Sequence, residues 1–247
     1  MDTTDNNLIP SKTKLPSITL CCFSPPVMFA TMVIEIGLAA YTLLKYRRGL
    51  FAKVVGLALV LLGVFQFSEY QICGGIETMF WSRFGLVTIT LLPIIGLQLV
   101  SLINKKRTFL WAGYIITGVF LLFFVFLPTS VTGAFCGGNY IVFSGPALLY
   151  QFYGLYYFIF LLFAILESLK TIQTSKNKML DRLLRWCIIG YLSFMLPMGI
   201  AYTIYAPART AVASIMCGFA VILAFILAFK IVPKYYEYID EGNKKIK

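Results

Sequence analysis

Long apolar runs separated by short polar or basic joints dominate this chain, and few of the runs carry the striped pattern of a surface helix. Seven windows reach or approach the roughly 20 apolar residues that a helix needs to cross bilayer hydrocarbon. They cover residues 27–44, 54–72, 84–103, 109–127, 147–166, 186–206 and 211–229. Each is apolar all round, and a backbone polar group in lipid must be satisfied within its own segment, so these runs predict helices. The expected fold class is an all-α integral membrane protein, a bundle of seven transmembrane helices over 27–232. A polar segment, 1–26, precedes it and a tail, 233–247, follows.

Composition agrees with the pattern. The 247 residues are 60% hydrophobic and 13% charged, whereas soluble domains are roughly 45–50% apolar and about 25% charged. The first 26 residues are polar and proline-punctuated, without the short apolar region and small-residue site of a cleavable signal, so the first span is expected to remain. A formal net charge of +11 in a soluble protein would suggest nucleic acid. Here the cations occupy short links between spans, and lipid headgroups of the bilayer are the expected partner rather than nucleic acid.

Their distribution also predicts direction. Lys45, Arg47, Arg48 and Lys53 mark the first link, Lys105, Lys106 and Arg107 the third, and Lys170, Lys176, Lys178, Arg182 and Arg185 the fifth. The second and sixth links carry one arginine each, Arg83 and Arg209, and the fourth, 128–146, carries no charge. The positive-inside rule then places the odd links and the tail from Lys230 in the cytoplasm and the N-terminus outside, in the cell (inner) membrane. In the fifth link, Met179, Leu180, Leu183 and Leu184 are spaced for one helix face, which suggests a short helix lying on the inner leaflet.

"QICGGIETMFWSRF", residues 71–84, sets Cys-Gly-Gly between two spans, and Cys-Gly-Gly returns at Cys136–Gly138. With this orientation Cys21, Cys22, Cys73 and Cys136 all lie outside, in an oxidising compartment, while Cys187 and Cys217 fall inside spans. The preferred disulfide is Cys73–Cys136, though four outer cysteines allow three pairings. The glycines would permit close backbone approach. Without histidine and without Cys-x-x-Cys spacing, no metal site is expected.

Polar residues at membrane depth are the candidate chemistry. Glu35 stands mid-span, where an ionisable residue costs roughly 2.5–3.5 kcal/mol on insertion scales, and so should face protein, as a proton site, a hydrogen-bond donor or a structural carboxyl. Gln66, Glu69 and Tyr70 share one face of the second span. Arg83 at a similar depth suggests a Glu69–Arg83 pair. Gln151 and Tyr202, among outer tyrosines that include Tyr150, Tyr153 and Tyr205, complete a candidate outward-facing pocket with Glu35, Gln66, Glu69 and Arg83, of the kind that takes a small molecule.

"CFSP" at 22–25, "FQFSE" at 65–69 and "CGFA" at 217–220 resemble an uncharacterised family of bacterial multi-pass membrane proteins, with a Cys-Phe-Ser start before the first span and a Phe-x-Gln-x-x-Glu-like motif in the second. The resemblance covers these motifs and the span count, departs in the polar N-terminal extension, and implies no activity. "FWSRFGLVTITLLP" resembles the third helix of microbial rhodopsins, but Gly85 and Leu86 stand where the proton-acceptor acid would be, and Lys230 lies too far along to hold retinal. The seven-span layout resembles G-protein-coupled receptors without their motifs. Three-plus-one-plus-three sugar transporters share its span count and direction, but no internal repeat is found. Histidine-dependent zinc hydrolases are excluded by composition.

No nucleophile with a base, metal set or phosphate loop is present, so neither an enzyme nor a cofactor is expected. Binding or sensing a small molecule in the outer half is the leading expectation. The alternative is a small proton-linked transporter using Glu35 and Glu69, and a membrane-protein partner or homo-oligomer is a further candidate.

Overall fold

The computed structural model describes residues 24–47, 49–107, 109–137, 140–204 and 211–244. It is an all-α bundle. In chain order the helices are α1 (Pro25–Lys45), α2 (Leu50–Cys73), α3 (Thr78–Thr90), α4 (Leu92–Asn104), α5 (Leu110–Phe126), α6 (Ala147–Thr174), α7 (Lys178–Ile204), α8 (Val212–Ile226) and α9 (Val232–Lys244). Taking α3 with α4 and α8 with α9, six continuous apolar segments among the described residues are long enough to cross a membrane, and α5 is a further, shorter apolar helix of 17 residues.

Each boundary has a local cause. Helix α1 begins at Pro25, where a missing N–H costs nothing because the first-turn donors are unpaired anyway. Helix α2 ends in a Schellman motif: Ile76 N–H donates to the Gln71 carbonyl and Gly75 N–H to that of Ile72, with Gly75 at φ +73°. This assigns the second glycine of the first Cys-Gly-Gly a specific task, because only glycine adopts that conformation without steric cost.

Helices α3 and α4 form one span bent at Leu91. Pro93 cannot donate to the ladder, and the exposed Thr90 carbonyl is taken by the Tyr156 hydroxyl, 2.6 Å away on α6. Between α8 and α9 the helix widens into a π turn, Leu227–Ile231, closed by Val232 N–H on the Leu227 carbonyl. Pro233 directly follows this turn. Its missing N–H would otherwise leave a gap in the α ladder, and the wider turn passes over it without a break.

The expected spans were shorter than the observed helices at several ends. Helix α3 starts at Thr78 rather than 84, and α6 and α7 extend until only Ser175–Asn177 separates them. The amphipathic stretch of the fifth link is therefore no separate surface helix: it is the opening of α7, where Leu183 and Leu184 are fully buried. Its charged side faces outward while its apolar side continues the core. The fourth link holds a two-stranded antiparallel hairpin, β1 (Gly133–Cys136) and β2 (Ile141–Ser144), paired from Gly133 with Ser144 to Cys136 with Ile141.

Helix α2 lies against α1, α3, α4 and α8, and it and the α3–α4 span are the most enclosed segments. The perimeter is apolar, as a lipid-facing surface must be: Trp111, Ile115, Leu122 and Phe126 on α5 are all exposed. The α1–α2 contact is a close one. A Cβ on Gly63 would come within 2.9 Å of Ile36 Cδ1 and 3.4 Å of the Met32 carbonyl, whereas one on Gly37 would meet nothing within 4 Å.

Overpacking such a seam costs about 1–3 kcal/mol. Gly63→Leu is accordingly expected to lower the thermal unfolding temperature in detergent, and Gly37→Leu to leave it unchanged or raise it. Equal effects of the two would contradict this packing.

Candidate functional site

Three of the polar residues read from the sequence come together inside the bundle. Glu35 on α1 is 0% exposed, and Gln66 and Glu69, one turn apart on α2, are 2% and 1% exposed. Helix α8 closes the third side with Ser214 and Cys217, likewise buried and also one turn apart. The Ser214 hydroxyl lies near the Glu69 carboxyl. The Glu35 and Glu69 carboxyls are near enough to interact electrostatically, and Cys217 interacts with both.

The bonding of this cluster is incomplete. Neither oxygen of Glu35 has a hydrogen-bond partner, nor do Glu69 Oε1 and Gln66 Nε2. Buried polar atoms are almost always satisfied, and each one left over costs about 1–3 kcal/mol, more if charged. Packing alone gives no return for that cost.

A hairpin backbone group closes the cluster on the side of the Cys73 end of α2. Ile141 N–H donates to Ser214 Oγ at 3.1 Å, Ile141 itself is fully buried, and the Phe143 ring packs 6.2 Å from that of Phe65. Cys73, one turn beyond Glu69, is disulfide-bonded to Cys136 on β1, with Cα atoms 5.2 Å apart. The two Cys-Gly-Gly elements are thereby joined: one ends α2, the other ends the first strand of the hairpin, and the bond holds them together over the polar cluster. Cys187 and Cys217 are buried free thiols. Cys21 and Cys22 lie outside the described residues, as do Tyr205 and Arg209.

The remaining candidates lie elsewhere. The Glu69–Arg83 pair does not form: Arg83 Nη2 donates to the Pro128 carbonyl after α5. The reason is the rotation of α2. Its Phe65 and Ser68 face Gly85 of α3, and Glu69, the next residue along, turns toward α1 and α8. Gln151 is exposed on α6, and Tyr202 on α7 is 46% exposed. The outward pocket built from all six residues is thus not assembled, and the polar cluster consists of Glu35, Gln66 and Glu69, with Ser214 and Cys217 added.

A second buried network was missed in the sequence. Tyr156 gives its proton to the Thr90 carbonyl, so it accepts from Thr117 Oγ1 at 2.8 Å, and Thr90 Oγ1 lies 3.2 Å from the Tyr153 hydroxyl. Tyr153, read as part of an aromatic belt, is therefore an interior residue tying α6 to the α3–α4 bend. All of its polar atoms are accounted for, which marks it as structural. Pro93 was the signal that could have found it, because a bend in a span frees a carbonyl that a neighbour must bond.

An internal cavity lies beside the polar cluster rather than around it. Its lining includes Leu62, Gly96, Leu161, Phe194 and Cys217, and its volume is about 40 Å³. That is room for roughly two or three water molecules, well below the several hundred Å³ of sites that enclose metabolites. Cys217 is the residue shared by the cavity and the cluster.

Six membrane-length apolar helices among the described residues, an apolar perimeter and a disulfide define the class: this is a multi-pass, all-α membrane protein. No protein-family model matches the chain, and neither a curated protein nor a solved structure matches it.

Proposed function

We propose that the protein is a seven-span, proton-linked membrane protein in which Glu35 and Glu69 are the proton-binding groups. The observation that carries this reading is Glu35, wholly buried halfway along α1 with neither carboxyl oxygen bonded. An unpaired carboxylate in apolar surroundings is too costly to keep, and the neighbouring cavity is too small for a large counter-ion. A proton is the occupant that fits without new space. The nearest titratable partner, Glu69, carries a second unbonded oxygen one helix away, so a proton leaving one site has a neighbouring acceptor.

In this reading α5 is the fourth of the seven spans: 17 residues span about 25 Å at 1.5 Å per residue, enough for a thin bilayer. The N-terminus lies outside the cell membrane and the basic links inside, which puts the Cys73–Cys136 bond in an oxidising compartment and leaves 17 of the 21 Lys and Arg cytoplasmic. Membership of the uncharacterised bacterial family belongs to the same reading, since its motif at 65–69 contains both Gln66 and Glu69.

Dicyclohexylcarbodiimide tests the proposal chemically, because it partitions into apolar interiors and attacks carboxylic acids in their protonated form. Glu35 is expected to be modified in protein reconstituted in vesicles, more strongly as pH falls, with Glu35→Gln removing the adduct. Labelling confined to the exposed acids of α9 would sink the proposal.

A further inference from the structure

The cavity beside the carboxyl cluster runs along the helices that build it. On α8 its lining starts at Cys217, which also belongs to the cluster, and continues through Ala220 and Leu223 to Leu227. These positions are three or four apart and fall on one helix face. At 1.5 Å per residue they carry that face about 15 Å from the cluster, roughly half the hydrocarbon thickness. The order on α2 matches: Gln66 belongs to the cluster, while Leu62 and Ala58, one and two turns before it, line the cavity. The far end, Leu227, is the first residue of the π turn.

This lining suits water poorly. None of its residues is charged, and its polar groups are the hydroxyls of Tyr157 and Tyr191 and the thiol of Cys217. The Tyr191 proton is already given to the Gly96 carbonyl, 2.8 Å away. A buried water needs about two to four polar partners, so the roughly two or three molecules that the volume admits are weakly held. At the other end of the cluster the hairpin is fixed by the Cys73–Cys136 bond and by Ile141 N–H on Ser214. The cavity is therefore the side on which the cluster borders free space.

We infer that this cavity is a hydrophobic gate in the proton path: dry, it isolates the carboxyl pair from the α9 end of the bundle, and transient filling by a short file of water connects them. The inference rests on Glu35 and Glu69 being proton sites, as proposed above. A proton crosses the file by hopping, each water accepting one and passing another on, so no lining residue is itself protonated. Apolar constrictions gate channels by the same wetting and dewetting.

The gate can be narrowed or wetted by single changes. A Cβ on Gly96 would lie 3.5 Å from the Tyr191 hydroxyl oxygen and 3.6 Å from Leu161 Cδ2, ordinary contact distances, and alanine favours a helix over glycine. Gly96→Ala thus takes up space without strain. Leu223 on α8 and Leu99 on α4 are buried lining residues, and asparagine at either gives water a partner.

The test is acidification of phosphatidylcholine vesicles holding the full chain and a trapped pH-sensitive dye, under a potassium diffusion potential. Leu223→Asn is expected to raise the rate several-fold over wild type, with Leu99→Asn doing the same from α4 should the first variant fail to fold. Gly96→Ala is expected to slow it at an unreduced melting temperature. Leu223→Asn/Glu35→Gln should fall to the rate of empty vesicles, because a wet gate still delivers protons only to the carboxyls.

Wild-type rates in the asparagine variants and in Gly96→Ala overturn the gate alone. A gain that persists in the double variant also overturns it, since protons would then pass without the carboxyls. A wild type no faster than empty vesicles overturns the proton-linked reading, and this inference with it.

Discussion

Glu35→Met is expected to make the bundle more stable while abolishing its function. A buried polar atom without a partner costs about 1–3 kcal/mol, and replacing it by an apolar group of similar shape removes that cost. Neither Glu35 oxygen is bonded, so the substitution forfeits no hydrogen bond, and methionine is flexible enough to fill the space. The neighbouring Gln66 Nε2 is already unpartnered and loses nothing further.

Thermal unfolding in detergent should therefore shift upward by an amount corresponding to about 1–3 kcal/mol. A structural carboxyl bonded to a neighbouring helix would behave in the opposite sense, because its removal would strand the partner. A destabilised Glu35→Met protein would thus show that Glu35 holds the helices together. Stability exchanged for activity is the signature of a site retained for use.

The second large effect concerns the disulfide-bonded end of the bundle. The Cys73–Cys136 bond closes a loop across a sequence separation of 63, which on a chain-entropy estimate stabilises the fold by up to about 4 kcal/mol. In a bilayer the unfolded state keeps its helices inserted, so the loop is less free than in water and the realised value is smaller, about 2–4 kcal/mol. What the bond anchors locally is the hairpin, whose Ile141 N–H holds Ser214.

The double variant Cys73→Ser/Cys136→Ser is expected to unfold at lower temperature than the wild type and to be insensitive to dithiothreitol, which should bring the wild type down to the same temperature. Using the double variant avoids leaving one reactive thiol behind. A wild type whose melting is unaffected by full reduction would show that helix packing alone holds this end of the bundle.

Much of the architecture was legible in the sequence because bilayer thickness imposes a length on apolar runs, and the Cys-Gly-Gly repeat made Cys73–Cys136 the preferred of the pairings that four cysteines left open, the bond the structure contains. Ends were less legible. Thr78 to Arg83 contains enough polar atoms to look like a link, yet it forms the first turns of α3, since helical hydrogen bonds satisfy the backbone wherever a polar headgroup region can solvate the side chains. The hairpin was overlooked in an uncharged link, although Gly-Gly-Asn between Phe135 and Tyr140 is a turn signal flanked by β-prone residues.

Depth along the membrane was readable from residue number, but rotation about each helix axis was not. Glu69 and Arg83 share a depth and still point to different neighbours. Gln151 and Tyr202 likewise lie near the ends of α6 and α7 but on exposed faces. Ser214 drew no notice because a single serine in an apolar run is unremarkable until the hairpin is seen to reach it. Residues of α9 gave a similar lesson. Tyr235 and Tyr236, taken as part of a tail, stack on Phe51 at 3.9 Å and Tyr46 at 5.0 Å, so α9 is docked against the ends of α1 and α2.

Proton passage through the purified protein is the most direct test of the central claim. Vesicles loaded with a trapped pH-sensitive dye and given a potassium diffusion potential should acidify faster with the wild-type protein than without protein, and Glu35→Gln should return the rate to that of empty vesicles. Equal rates for wild type, Glu35→Gln and empty vesicles would contradict a proton-linked role for the buried carboxyls.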